Sequence, residues 1–295
     1  MKERVPLRVW LVLTAGLTVL GTSAILIRFA SDAPGLAVAA WRTVFAVVIV
    51  APFGILKAHK EIRVLPRRDL LLIGVAGVLL GFHFIAWIES LYHTSVASAS
   101  VLVSTSPIFI AILGYLVLRE RLRARAIVAI LTAVGGAALI GMADTGVGIF
   151  PNASRGNGLA LSAALLFAAY ILIGRAVRQR TTFLAYLLPL YVVAALTCLA
   201  GALIQGVTLA QPPSVLALCL LMALGPQLLG HGAFNYAVRY MPAALLGVLT
   251  LTEPIGASLL ALLLFGEIPL ALALLGMFVV LCAIAFVLTL RNPTK

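Results

Sequence analysis

The stretch VLTLTEPIGASLLALLLFGE, Val248 to Glu267, decides how the chain is read. Its composition is that of a membrane helix, yet an acid and a helix-breaking proline, Glu253 and Pro254, stand inside it. An ionisable group within hydrocarbon is expensive, so it marks a functional site by default. The pattern occurs twice. STSPIFIAILGYLVLRE runs from Ser104 to Glu120, and LTEPIGASLLALLLFGE from Leu251 to Glu267. A shift of 147 residues lays Pro107 on Pro254, Glu120 on Glu267 and Thr105 on Thr252, and the same shift lays Arg28 on Arg175. One gapless offset that links positions across most of the chain points to an internal duplication, with repeats over 1–145 and 146–295.

Composition agrees with a membrane setting. Hydrophobic residues make up 63% of the chain and charged residues 10%, against roughly 25% charged in soluble domains. A helix needs about 20 apolar residues to cross the hydrocarbon core. The runs that qualify are 7–28, 34–56, 69–90, 94–118, 122–142, 157–178, 182–205, 214–238, 242–265 and 268–290. The expected fold is therefore an all-α, polytopic membrane protein of ten transmembrane helices. The first run is longer than the apolar core of a signal peptide, so it is read as a span.

The net charge of +12 does not point to nucleic acid, because the basic residues lie in short loops between apolar runs. Eighteen of the 21 Lys and Arg residues fall at the termini and in every second loop, which predicts cytoplasmic termini by the positive-inside bias. Each repeat has an odd number of spans, so the second enters the membrane from the opposite side. Two inverted five-helix repeats are the organisation of secondary transporters, with a site near the midplane between the halves.

The paired spacing of Pro, twelve residues and Glu stands beside YHTSVASASVLVSTSPIF (Tyr92 to Phe109) and AVGGAALIGM (Ala133 to Met142). Together these resemble the EamA-type branch of the drug/metabolite transporter superfamily, over both halves of the chain. In the second half Cys282 stands where the first has Gly135, so the closing glycine motif is poor there. The resemblance implies a multi-pass carrier of the bacterial inner membrane that moves a small metabolite. In helix count and in its aromatic third helix the chain looks most like the exporters of aromatic and neutral amino acids. A broader exporter of drugs or amphipathic metabolites is the alternative.

Several residues are candidates for the site. Glu253 lies about 16 Å along its helix from Pro242, near mid-membrane. It either titrates or binds a substrate ammonium, or it is a protonated structural acid. Pro107 and Pro254 each remove a helical donor, which predicts a kink in both halves, as a hinge or as fixed curvature. His83 and Trp87 share a face of the third helix, and Gln227, His231 and Asn235 recur at intervals of four on the eighth. These two stripes are expected to line a cavity for a zwitterion with an apolar side chain. Trp41 and Arg42 lie about 12 Å inside the outer end of the second helix. Trp41 is a further candidate for the substrate site, while Arg42 either binds a carboxylate or has a gating or structural part.

An intramembrane enzyme is the rival of another class. Eight of the nine acids fall at helix ends or in loops, which leaves Glu253 without a carboxylate partner. No zinc-type spacing, nucleophile elbow or phosphate-binding loop occurs. Cys198, Cys219 and Cys282 are far apart in apolar runs and read as small buried hydrophobes. The chain is thus expected to be no enzyme, to need no cofactor or metal, and to work as a monomer on a small-molecule substrate in the lipid bilayer.

Overall fold

The computed structural model describes residues 5–94, 96–119, 124–143, 152–256, 260, 263 and 271–289. Every regular element among them is helical. Seven helical segments are long and apolar enough to cross a membrane: Leu7–Phe29, Gly35–Val64, Arg67–His93, Ala99–Val117, Ala153–Arg178, Phe183–Ile204 and Pro213–Ala237. Three shorter apolar helices, Ala124–Leu139, Ala243–Gly256 and Ala271–Phe286, accompany them. Glu120, Glu267 and the division between the ninth and tenth expected spans lie outside the described residues.

The elements in chain order are α1 (Leu7–Leu20), α2 (Ser23–Phe29), α3 (Gly35–Val64), α4 (Arg67–His93), α5 (Val96–Val103) and α6 (Ser106–Leu118). They continue with α7 (Ala124–Ala143), α8 (Ala153–Arg178), α9 (Phe183–Ile204) and α10 (Pro213–Met222). A π-helix over Ala223–His231, α11 (Gly232–Ala237), α12 (Ala243–Thr250) and α13 (Ala271–Thr289) complete the set. Helices of one repeat pack chiefly on helices of the other: α4 on α8, α3 on α9, α7 on α13, α6 on α12, and α1 on the π segment. Exchanging the repeats maps this set of contacts onto itself, as a two-fold axis between inverted halves requires.

Close approach at these contacts depends on missing side chains. A Cβ at Gly77 of α4 would lie 2.8 Å from the carbonyl oxygen of Leu190 on α9, and one at Gly81 would lie 3.0 Å from that of Ala194. A Cβ at Gly247 of α12 would come within 3.2 Å of the Pro107 Cα on α6. Lipid supplies no hydrophobic drive between helices, so such backbone proximity is a main source of packing energy.

Among the described residues three helices are interrupted at a threonine, and each interruption is built the same way. At Thr22, Thr105 and Thr252 the hydroxyl donates to the carbonyl three residues back, at 2.7 Å to Val19, 2.6 Å to Leu102 and 2.8 Å to Leu249. The last two stand 147 residues apart, so the kinks expected at Pro107 and Pro254 are full breaks at matching depth. Each proline falls in the first turn of the helix that follows, where its missing donor does least harm. The break in the first span, at Gly21–Thr22, carries no proline, so the proline pattern did not predict it.

The π-helix has a sequence cause and a consequence for symmetry. Pro226 cannot donate to the ladder, and widening the turn is one way to accommodate it. A π turn holds one extra residue. Pro66 and Pro213, before it, are 147 residues apart, while His83 pairs with His231 and Tyr92 with Tyr240 at 148. The spacing returns to 147 by Thr105 and Thr252.

At one end of the bundle α3 continues to Val64, past the expected limit at residue 56, because a charged helical extension projects beyond the apolar run. Its Glu61 carboxylate accepts from the backbone N–H of Thr182 at 2.8 Å and from the Thr182 hydroxyl at 2.5 Å, at the start of α9. Beside it Arg180 donates to Asp69 at 2.6 Å. That bond holds the Arg180 guanidinium, which lies outside the spans, above its usual pKa. Loops of both repeats thus meet at this end, the basic end of the bundle.

Candidate functional site

The three breaks and the π-helix enclose one cavity. It is bordered by Leu20 and Ser23 at the first break, Val103, Ser104 and Ser106 at the second, Thr250 and Glu253 at the third, and His231 at the end of the π segment. Arg42, His83, Phe84, Trp87 and Phe167 complete the wall. Irregular backbone at membrane depth is tolerated where it lines a cavity, and discontinuous helices of this kind mark transporter binding sites. The wall is also paired: Leu20 with Phe167, Val103 with Thr250 and Ser106 with Glu253 are each separated by 147 residues, and His83 with His231 by 148. The cavity therefore sits on the axis relating the halves. Its free volume is about 40 Å³, room for a few waters.

Charge breaks the symmetry. Glu253 faces Ser106 in the pairing, and Arg42 has Pro189 as its counterpart. The first repeat thus contributes the cation and the second the acid. Arg42 is 1% exposed, and its Nε donates to Gln227 Oε1 at 3.2 Å. Its guanidinium carbon lies 4.3 Å from the centre of the Phe84 ring, in cation–π contact. Its Nη1 is buried and has no hydrogen-bond partner among the described residues. No hydrogen bond or ion pair joins the Glu253 carboxylate to another described residue, although Arg42 is close enough for direct electrostatic attraction. Both groups therefore keep hydrogen-bonding capacity for a ligand.

The two histidines sit side by side, with ring centres 5.4 Å apart. His83 Nδ1 lies 2.9 Å from the Ala163 carbonyl oxygen, and since a carbonyl only accepts, Nδ1 carries the proton. In the neutral ring this leaves Nε2 as an acceptor. His231 Nδ1 lies 3.1 Å from the Tyr170 hydroxyl, and the Trp87 indole N–H donates to Ser23 at 3.4 Å.

Not every candidate reaches the cavity. His83, Trp87, His231, Arg42 and Glu253 border it, whereas Gln227, Asn235 and Trp41 do not. Gln227 and Asn235 are fully buried among packed helices instead of facing the cavity. Gln227 lies behind Arg42, and its backbone carbonyl accepts from Tyr191 at 2.9 Å. Asn235 is fully buried and donates to the His231 carbonyl at 2.9 Å. Trp41 donates to the Leu209 carbonyl at 2.7 Å, which ties α3 to the segment before α10. Pro107 and Pro254 shape two of the breaks without bordering the cavity. Sequence reasoning missed Leu20, Ser23, Phe84 and Phe167. The 147-residue offset linking Leu20 to Phe167 was a usable signal.

Among the described residues no group of three or more His, Cys, Asp or Glu is placed to hold a metal ion. Comparison with known proteins agrees with the geometry. No curated protein matches the chain. A solved structure described as "Crystal structure of protein" matches with a TM-score of 0.78 at 18% identity, covering 96% of this chain and 97% of that one. That likeness bears on the fold alone. The family model for the EamA-like transporter family matches twice, over residues 7–142 and 154–289. With both halves matched, the chain belongs to the EamA-like transporter family.

Proposed function

We propose that this chain is a secondary transporter that exports amino acids, aromatic or neutral ones, by alternating access of the central cavity. The observation that carries the reading is that a buried cation and an acid, Arg42 and Glu253, border one cavity formed at helix breaks. A substrate carboxylate is taken by Arg42 and its ammonium by Glu253, while Phe84, Trp87 and Phe167 offer apolar and aromatic surface. Arginine suits the carboxylate because its planar fork binds it with two parallel hydrogen bonds. In this reading the ten apolar segments are spans, both termini are cytoplasmic, and the carrier acts as a monomer in the bacterial inner membrane without enzymatic activity.

The alternative, a broader exporter of amphipathic metabolites, is disfavoured by the presence of a cation and an acid together at the cavity. The test is uptake into liposomes by the purified protein, with labelled amino acids supplied singly, with and without a pH gradient. Saturable uptake with counterflow is expected. Entry of an amphipathic dye with no amino acid entering would replace the amino acid reading with the broader one.

A further inference from the structure

Behind the cavity, toward the basic end, lies a second polar region that substrate binding does not use. Tyr170 and Gly174 of α8, Tyr186 and Tyr191 of α9, Gln227 of the π-helix and Asn235 of α11 meet there. Tyr186, Tyr191, Gln227 and Asn235 are each 0% exposed, so any polar atom they leave unpaired is cut off from bulk water. Three such atoms exist. Tyr186 Oη, Gln227 Nε2 and Asn235 Oδ1 have no hydrogen-bond partner among the described residues.

Two of these orphans are neighbours. A Cβ built on Gly174 would lie 2.8 Å from the Tyr186 hydroxyl and 3.9 Å from Asn235 Oδ1, so both point at the space this glycine leaves. Tyr170, Tyr186 and Tyr191 are within electrostatic reach of one another. The region is continuous at both ends. Arg42, at the cavity, holds Gln227 Oε1 and lies near Tyr191. Arg178, at the basic end, is 1% exposed, lies near Tyr186, and donates to the carbonyls of Asn235, at 3.0 Å, and Thr181.

An unpaired buried polar atom costs about 1–3 kcal/mol, and native proteins avoid that cost with ordered water. One orphan has many explanations, but three lying between two buried guanidinium groups have a common one. We infer that Tyr186, Tyr191, Gln227 and Asn235 bind a file of internal waters that connects the cavity to the basic end of the bundle. Three of the four have no symmetric copy, because Tyr186, Tyr191 and Gln227 are laid on Ala39, Val44 and Leu80, which carry no polar side-chain atoms, while Asn235 pairs with Trp87. The file therefore hydrates the cavity from one end only.

Millisecond hydroxyl-radical labelling of the wild-type protein in nanodiscs, read by mass spectrometry, tests this without a substrate. Internal water generates radicals in place, so Tyr186 and Tyr191 should be modified severalfold faster than Met222, a fully buried and more oxidisable residue in a separate apolar cluster. Rates no higher than that of Met222 would overturn the file. Rapid mixing with ¹⁸O-water before the pulse reports exchange with bulk, and ¹⁸O should appear in modified Tyr186. Labelling without ¹⁸O would mean trapped water and would overturn the connection. Asn235→Leu should reduce Tyr186 modification severalfold, and an unchanged rate in the folded variant would remove Asn235 from the file. None of these readouts depends on which substrate is carried, so failure of the file and failure of the transport reading remain distinct.

Discussion

Glu253 and Arg42 carry the sharpest predictions at the level of single residues. Glu253→Gln keeps the shape of the side chain and removes its charge, so transport of a zwitterion should fall. If the carboxylate also exchanges the coupling proton, the residual rate becomes independent of pH. Uptake by the folded Gln variant across a pH series checks this, and a wild-type profile would remove the proton role. Arg42→Lys keeps the charge but loses the stacked fork over Phe84 and the bond from Nε. Hydrogen bonds to charged groups contribute about 1.5–3 kcal/mol, so apparent affinity should weaken by about tenfold or more. Competition binding measures it, and an unchanged affinity would place the substrate carboxylate elsewhere.

Whole elements respond through their breaks and close contacts. Thr105 and Thr252 hold equivalent breaks, and Pro107 and Pro254 prevent the helices from closing over them. In the double variant Pro107→Ala with Pro254→Ala both donors return. Substrate binding and transport should then be lost together, since the breaks shape the cavity wall. Binding retained with slowed transport would instead identify the breaks as hinges. Packing makes a separate prediction. Gly77→Ala forces a methyl against the Leu190 carbonyl and should destabilise by about 1–3 kcal/mol. Gly74→Ala, one turn away, meets nothing within 4 Å and should leave stability unchanged or raised. Thermal unfolding of the two variants in one detergent makes the comparison.

For the whole molecule, the distribution of Lys and Arg predicts sidedness. A fluorescent protein fused after Lys295 should mature in the cytoplasm, and alkaline phosphatase fused after Phe150 should be active outside. The reverse pattern would invert the proposed direction of the cavity's water file as well as the topology. The repeat also predicts that the carrier runs both ways in liposomes, at rates set by the imposed gradient, because each half presents a similar scaffold to its own side of the membrane.

The membrane class, the duplication and an irregularity at Pro107 and at Pro254 were legible in the chain because each depends on local composition or on a repeat counted along it. A run of apolar residues, a proline and a fixed offset keep their meaning whatever the helices do later. The candidate residues Arg42, His83, Trp87, His231 and Glu253 were legible for the same reason, since polar groups inside apolar runs stand out. What the tertiary structure decided was which of them meet. Gln227 is held behind Arg42 and Asn235 against the His231 carbonyl, and the indole of Trp41 is taken up by the Leu209 carbonyl. Leu20 and Phe167 enter the wall only because the two halves close around an axis. Periodicity assigns a residue to a face of its own helix, and which part of that face meets the cavity is decided by the packing of helices distant in the chain.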